Sequence, residues 1–236
     1  MSKKKYKYYI SPSILAANFS ILGKEITQVI SAGADSIHFD VMDNHYVPNL
    51  SIGPVVLRSL RSSGFKIPID VHLMAKPIEK LIFSFIKEKS DCIIFHPEST
   101  NKVEYLLNKI KTHNCNTGLA FNLSTSFKYL KNDHILKNLD KIVIMSVNPG
   151  FFGQKFEIDA MKRIEIIRNI VNNSGYNILI ALDGGINIKN IYNIALAGID
   201  IFIIGSGIFH YKNYSDIIKK MQLKIEKAKS IIISNN

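Results

Sequence analysis

The chain has 236 residues, of which 47% are hydrophobic and 21% charged, and a formal net charge of +11. This length suffices for one large core, no apolar run approaches the roughly 20 residues that span a bilayer, and Pro12 interrupts the short apolar stretch after the basic N-terminus. We therefore predict a cytoplasmic protein with a single domain over residues 1–236, with neither a membrane span nor a signal peptide.

The positive charge admits nucleic acid or an anionic membrane as a partner. The lysines, however, are spread over predicted helical faces, with small clusters at 3–5 and 219–220. Basic residues do not alternate with aromatic ones, as they do in proteins that bind single-stranded nucleic acid. We interpret the charge as solvated surface and predict no nucleic-acid or membrane partner. A basic protein that binds phosphate or nucleic acid without catalysis is the non-enzyme alternative.

Apolar runs alternate with amphipathic segments along the chain. The runs are continuously apolar, which is typical of parallel strands buried on both faces. Strands are predicted at 8–15, 36–42, 67–74, 92–96, 117–121, 142–147, 178–182 and 201–204, and helices at 53–63, 77–89, 102–113 and 158–172. About eight such βα units predict an α/β fold, a closed (β/α)8 TIM barrel. An open doubly wound sheet is the alternative, but the glycine-rich fingerprint that it needs after the first strand is missing.

Ionisable side chains occur at the ends of four predicted strands, in the segments 37–43, 69–74, 93–96 and 180–185. Side chains two residues apart on a strand share a face, so His38 points the same way as Asp40, and Asp70 the same way as His72. Imidazoles and carboxylates that converge from several strands form a divalent-metal site with mixed nitrogen and oxygen ligands. For any one pair, separate hydrogen-bonded polar groups at the barrel end are the alternative.

Asp183 ends the seventh predicted strand and adds a second carboxylate from across the ring. Asp40 and Asp183 then lie on nearly opposite strands, an arrangement that suits removal of a proton from one face of a substrate and its return to the other. A bound cation would keep both carboxylates ionised and acidify the substrate. We place Asp70 outside the site, as support for His72 or as a simple hydrogen-bond acceptor.

Glycine-rich turns follow the last three strands, at 148–154, 183–185 and 205–207. Open backbone amides in such turns form the phosphate cradle that recurs in barrels. The sequence therefore predicts a phosphorylated substrate that is held by amides rather than by arginine or lysine. Met42, Met74 and Met145 also stand at strand ends, where they fill gaps in the core or exclude water from the reacting centre.

The motifs that these residues form resemble the ribulose-phosphate 3-epimerase family from about residue 10 to residue 212. The resemblance is carried by Pro12–Phe19, His38–Asp43, Asp70–Met74, Met145–Phe151 and Leu182–Ile186. It implies a barrel of the ribulose-phosphate-binding type. It also implies interconversion of D-ribulose 5-phosphate and D-xylulose 5-phosphate, a step of the non-oxidative pentose phosphate pathway, through an enediolate.

Transferred residue by residue, the resemblance implies a divalent metal on His38, Asp40, His72 and Asp183, with Asp40 and Asp183 as the acid/base pair. Substrate contacts are implied for Ser13, Met42, His72, Met74, Met145 and Asp183, and phosphate contacts for Gly150, Phe151, Phe152, Gly153, Gly184, Gly185, Gly205 and Ser206. Zn²⁺ or Fe²⁺ is the implied metal, with Mn²⁺ or Co²⁺ as alternatives, and a homo-oligomer is expected.

The sequence departs from the family pattern at Phe152, where the phosphate loop usually has a glycine, so the geometry of this loop is open. A 3-epimerase of a hexulose 6-phosphate is the nearest alternative activity. A decarboxylase or aldolase on the same type of barrel would need a catalytic lysine inside it, and we predict no lysine that faces inward at a strand end.

Overall fold

A computed structural model describes residues 7–234, with side chains from 7 to 232. Its eight strands are all parallel and are hydrogen-bonded in the order β1-β8-β7-β6-β5-β4-β3-β2. Their bounds are β1 Tyr9–Pro12, β2 Ile37–Met42, β3 Ile69–Met74, β4 Cys92–Phe95, β5 Asn116–Phe121, β6 Lys141–Met145, β7 Leu179–Asp183 and β8 Ile201–Ile204. A parallel bridge between Ser13 and His38 joins the two ends of this order. The predicted (β/α)8 barrel is confirmed.

Helices follow the strands around the outside of the barrel. Among the described residues they are α1 Leu22–Ser31, α2 Pro54–Ser62, α3 Glu79–Lys87, α4 Val103–Thr112, α5 Asp133–Leu136, α6 Ala160–Ser174, α7 Ile191–Leu196, α8 Ser206–Phe209 and α9 Tyr214–Ser234. The predicted strands and helices differ from these bounds by a few residues. The largest difference is in the first strand, which ends at Pro12 because a 3-10 helix, Ile14–Ala16, takes over.

Three predictions from the sequence concern membrane spans, the N-terminal lysine cluster and the number of domains. No helix within residues 7–234 is both long and apolar enough to cross a membrane. The lysine cluster at 3–5 lies outside the described residues. The single domain over 1–236 stays a prediction, since it includes residues 1–6 and 235–236, which also lie outside them.

Successive side chains on a strand face alternately the surrounding helices and the barrel interior. On β6, Ile142 and Ile144 belong to the large cluster between strands and helices, whereas Val143 and Met145 belong to the smaller cluster inside the barrel. This alternation follows from the two-residue period of a strand. It means that every second residue of a strand faces the barrel interior, where a polar side chain needs a partner.

Four aspartates form a repeated contact, the aspartate clamp, at the N-terminal end of the barrel. Each precedes an even-numbered strand and accepts a hydrogen bond from the backbone N–H of a residue in the preceding odd-numbered strand. It also donates its own N–H to the carbonyl of that residue. The pairs and their carboxylate distances are Asp35 with Ile10 (2.8 Å), Asp91 with Ile69 (2.7 Å), Asp140 with Thr117 (2.8 Å) and Asp200 with Ile180 (2.9 Å).

A cation from a nearby helix also binds three of the clamps: Arg61 of α2 binds Asp91, Lys111 of α4 binds Asp140, and Arg168 of α6 binds Asp200. Each clamp provides an acceptor for a strand N–H at the barrel rim. Its carboxylate therefore contributes more to the free energy of unfolding than a surface ion pair does.

We predict that Asp140→Ala destabilises the fold by about 1–3 kcal/mol, because it leaves the Thr117 N–H without its acceptor. Asp216→Ala is the matched control. Asp216 also binds a lysine, Lys220, at 2.7 Å, but it lies in helix α9 and accepts no strand N–H among the described residues. The control change should cost less than about 1 kcal/mol. Urea unfolding measures both, and equal losses would contradict a special role for the clamp.

Candidate active site

Three candidate ligands sit on two neighbouring strands whose register sets their positions. His38 and Asp40 belong to β2 and His72 to β3, and Asp40 is the register partner of His72. All three face the barrel interior, where both histidines are fully buried. Asp183 is the last residue of β7, and its side chain keeps 14% exposure. The four candidates therefore meet at the C-terminal mouth of the barrel, where enzymes with this fold bind substrates.

One donor atom from each of these residues contributes to a compact cluster. His38 Nε2 lies 3.2 Å from His72 Nδ1. Asp40 Oδ1 lies 3.3 Å from both nitrogens, and Asp183 Oδ2 lies 3.7 Å from both. All four atoms fall within 4.8 Å of one another. A tetrahedral metal with ligands at ~2.0–2.1 Å has ligand-to-ligand distances of roughly 3.3–3.4 Å. The distances among His38, His72 and Asp40 are close to this spacing and Asp183 lies slightly farther out, so the four side chains could hold a divalent ion.

The two carboxylates differ in their protonation behaviour. Burial disfavours the charge of Asp40, but His38 and His72, both at close range, outweigh it and hold the pKa of Asp40 below its usual range. For Asp183, burial raises the pKa, and this effect together with the negative charge of Asp40 exceeds the lowering by His38. Pairs of carboxyl groups whose pKa values are pushed apart are typical of acid/base sites.

The same two carboxylates shift the pKa of His38. Burial alone would lower the pKa of its imidazole, but Asp40 and Asp183 raise it to about 9. The two carboxylates thus draw positive charge into the cluster, as they would for a bound cation.

Hydroxyl groups hold Asp40 and its strand end in place. Ser13 Oγ donates to Asp40 Oδ2 over 2.6 Å, which leaves Oδ1 for the cluster. Ser51 Oγ donates to the Asp40 carbonyl over 2.7 Å and accepts from the Met42 N–H over 2.9 Å. Ser13 thus lies next to the candidate ligand Asp40, and its implied contact with the substrate stays a prediction.

A cavity opens directly above the cluster. It is lined by the predicted residues Ser13, Asp40, Met42, Met74, Met145, Gly150, Phe151, Phe152, Gly153, Asp183, Gly184, Gly185, Gly205 and Ser206. His38 and His72 are not in the lining, because they lie behind the carboxylates. Pro149 and Gln154 also line the cavity and belong to the predicted turn 148–154, whereas Leu15, Val147, Ile186 and Ile203 were not predicted as site residues. These four unpredicted residues are all aliphatic and carry no chemical signal of their own.

The glycines of the turns after β6 and β7 are required by the backbone. Gly184 has φ +111°, and a Cβ there would lie 2.5 Å from Val147. In the loop after β6, φ is positive at Gly150 and Gly153 but not at Phe152. Phe152 therefore needs no glycine-only conformation, and its ring is exposed, at 6.3 Å from that of His210.

Asp70 and Lys141 form an ion pair inside the barrel that the sequence analysis missed. Lys141 starts β6, and its Nζ donates to Asp70 Oδ2 over 2.5 Å, with the two side chains 14% and 4% exposed. The prediction that no lysine faces inward at a strand end is therefore wrong at the N-terminal end of β6. Asp70 accepts a hydrogen bond from this lysine, the second of its two predicted roles, and does not support His72. Neither residue lines the cavity, so Lys141 does not reach the position of a catalytic lysine.

The chain matches known proteins over nearly its whole length. The family model described as "Ribulose-phosphate 3 epimerase family" matches residues 9–209. The chain is 49% identical to the ribulose-phosphate 3-epimerase of Buchnera aphidicola subsp. Acyrthosiphon pisum, over 95% of this chain and 97% of that protein. It is 45% identical to the protein of the same name from Escherichia coli K12, over 94% and 98%.

The fold is also similar to that of more distant solved structures. 3-keto-L-gulonate-6-phosphate decarboxylase from Vibrio cholerae matches with a TM-score of 0.71 at 11% identity, over 94% of this chain and 98% of that one. This likeness concerns the barrel architecture.

The buried ion pair leads to a test of stability. We predict that Lys141→Met destabilises the protein by about 3–5 kcal/mol, because it leaves the Asp70 carboxylate buried without its cation. The double variant Asp70→Leu/Lys141→Met should recover most of that loss, because no charge then remains to be compensated. The measurement is urea unfolding of both. A double variant as unstable as the single one would show that packing, rather than charge, is responsible.

Proposed function

The chain belongs to the ribulose-phosphate 3-epimerase family, and from this membership we propose that it interconverts D-ribulose 5-phosphate and D-xylulose 5-phosphate by inverting C3. The observation that carries the proposal is the convergence of Asp40 and Asp183, from strands β2 and β7, at the floor of one cavity. Inversion needs a base on one face of the carbon and an acid on the other, and a pair of carboxyl groups from opposite sides of the barrel can supply both.

In the proposed mechanism, one carboxylate removes the C3 proton and the other carboxyl group donates a proton to the opposite face. Asp183, whose pKa is raised by burial and by Asp40, is suited to carry a proton, while Asp40 stays ionised next to the histidines. The two exchange roles when the reaction runs in reverse. The Ser13 hydroxyl orients Asp40 through the bond to its Oδ2.

A divalent metal on His38, Asp40, His72 and Asp183 would stabilise the negative charge that develops on the substrate oxygens of an enediolate. Two nitrogen and two oxygen donors suit Zn²⁺ or Fe²⁺, with Mn²⁺ and Co²⁺ as further candidates, and contain too much nitrogen for Ca²⁺. Asp40 and Asp183 thus have two roles, so loss of either carboxylate removes both a metal ligand and a proton carrier.

Three methionines support the exclusion of water from this reaction. Met42, Met74 and Met145 line the cavity and keep no more than 3% of their surface exposed. Their polarizable, apolar side chains would surround the reacting carbon and keep solvent protons away from it.

The substrate phosphate is proposed to bind the glycine turns after β6, β7 and β8, at 150–153, 184–185 and 205–206. Among the described residues that line the cavity there is no lysine or arginine. Backbone N–H groups are therefore the donors that these turns can offer an anion. The homo-oligomeric state and the cytoplasmic location remain predictions.

We expect deuterium from heavy water to enter C3 of the product faster than C3 of recovered substrate, because two different groups handle the two faces. Asp183→Asn and Asp40→Asn should each lower kcat by at least ~10²–10⁴. NMR of the sugar phosphates measures the exchange. Equal labelling of substrate and product throughout would indicate a single base, and an Asp183→Asn protein with full activity would contradict the mechanism.

Removal of metal gives an independent test. Dialysis against a strong chelator should abolish activity, and Zn²⁺ or Fe²⁺ should restore it, while circular dichroism of the stripped chain should retain the barrel signal because the apolar clusters are unaffected. Activity that persists in a chain shown by elemental analysis to be metal-free would exclude the proposed metal.

We predict that Gly205→Ala raises KM for the phosphorylated sugar more than Lys155→Ala does. The added methyl would lie 3.3 Å from Ala16 Cβ, so either Ala16 or the turn has to shift by a few tenths of an ångström. Loss of one amide hydrogen bond to a charged group costs about 1.5 kcal/mol or more, roughly tenfold in KM. Lys155 is exposed beside the loop and serves as the control. A larger effect of the lysine change would contradict binding by amides.

A further inference from the structure

A third histidine, His96, lies behind the candidate metal ligands. It follows β4 and is fully buried, and it does not line the cavity. Its Nε2 lies 3.0 Å from Nε2 of His72, and the two rings are stacked with centroids 5.1 Å apart. His96 is therefore within hydrogen-bond distance of the His72 ring nitrogen that is not part of the cluster.

The direction of this hydrogen bond follows from the role of His72. His72 presents Nδ1 to the cluster, so a neutral, metal-binding His72 must carry its proton on Nε2. That N–H points at His96 Nε2, which has to accept it. His96 must then carry its own proton on Nδ1. One hydrogen bond thus sets the tautomer of both rings.

The other side of His96 faces a carboxylate that is itself held in place. Glu98 Oε1 lies 3.8 Å from His96 Nδ1. The same oxygen accepts hydrogen bonds from Tyr46 Oη at 2.9 Å, Asn122 Nδ2 at 2.9 Å and Thr125 Oγ1 at 2.8 Å. At 3.8 Å the contact with His96 is electrostatic, and the negative oxygen favours the tautomer that has its proton on Nδ1.

Packing limits the freedom of the His96 ring as well. The Tyr46 ring lies against it with centroids 4.8 Å apart. Tyr46 belongs to the loop after β2, whereas His72 is on β3. The ring of His96 is thus in contact with two rings, and its two nitrogens face His72 and Glu98.

We propose that His96 is a positioning residue for metal binding: by accepting the hydrogen bond of His72 Nε2, it fixes the ring and the tautomer that leave His72 Nδ1 free for the metal. The inference rests on the proposed function, in which His72 is a ligand. Partners of ligand histidines that act in this way change metal affinity by about 10–100-fold when they are removed.

The test compares three variants of the full chain. In His96→Gln the side-chain amide oxygen can reach the position of Nε2, whereas in His96→Asn it is too short to do so, and His96→Leu removes the acceptor altogether. The metal-stripped proteins are titrated with Zn²⁺ in competition with a chromophoric chelator, and the Co²⁺ absorption spectrum reports ligand geometry. Thermal unfolding in EDTA compares their metal-free stability.

We expect the Asn and Leu variants to bind Zn²⁺ about 10–100-fold more weakly than wild type, with an altered Co²⁺ spectrum, and the Gln variant to bind within a few-fold of wild type. Should His96→Leu fail to fold, the Gln and Asn pair decides the question, because both carry the same amide. Equal affinities in that pair would overturn the positioning role alone. A wild-type chain that binds neither Zn²⁺ nor Co²⁺ would overturn the proposed metal site and this inference with it.

Discussion

The parallel register of β2 and β3 is the constraint on which the site depends. It pairs Asp40 with His72 and His38 with Asp70. Side chains alternate between the two faces of a strand, so a register shift of one residue would turn the polar side chains of either β2 or β3 out of the barrel. His38 also forms the bridge to Ser13 that joins β1 to β2, and Ser13 in turn binds Asp40. Closure of the barrel and assembly of the ligand cluster are therefore the same structural event.

A barrel interior that contains this many polar groups must compensate each of them. Asp70 is compensated by a direct ion pair with Lys141. Asp40 and Asp183 lie beside His38 and His72, and their donor atoms are spaced to hold a cation. Asp70 neighbours His38 in the sheet register, but neither Asp70 nor Lys141 lines the cavity, whereas Asp40 and Asp183 do. The charged pair that only stabilises the fold is thus kept out of the cavity. This separation of chemistry from stability is a general property of the fold.

Much of the fold and site could be predicted because it follows from local patterns. Continuous apolar runs indicated the strands, and two-residue spacing placed His38 and Asp40 on one face. Contacts across the barrel could not be predicted in this way. The partner of Asp70 lies on β6, 71 positions along the chain, and Lys141 stood just outside the strand predicted at 142–147. His96 ended a predicted strand, but its contact with His72 depends on ring orientation. At Phe152 the family pattern suggested a strained position, whereas the glycines on either side, Gly150 and Gly153, take the positive φ angles.

The aspartate clamps close short segments of chain, which bears on where the barrel loses most chain entropy when it folds. Each clamp joins residues separated by only 20 to 25 positions, and every ladder except one pairs consecutive strands. Short closures cost little entropy. The exception is the seam between β1 and β8, where Tyr9 pairs with Ile201. The distant contacts that slow folding are thus concentrated at this seam, which runs directly beneath Ser13 and Gly205 at the wall of the cavity. A chain that ended before β8 would keep the ladders between the consecutive strands β2 to β7 and lose the cavity.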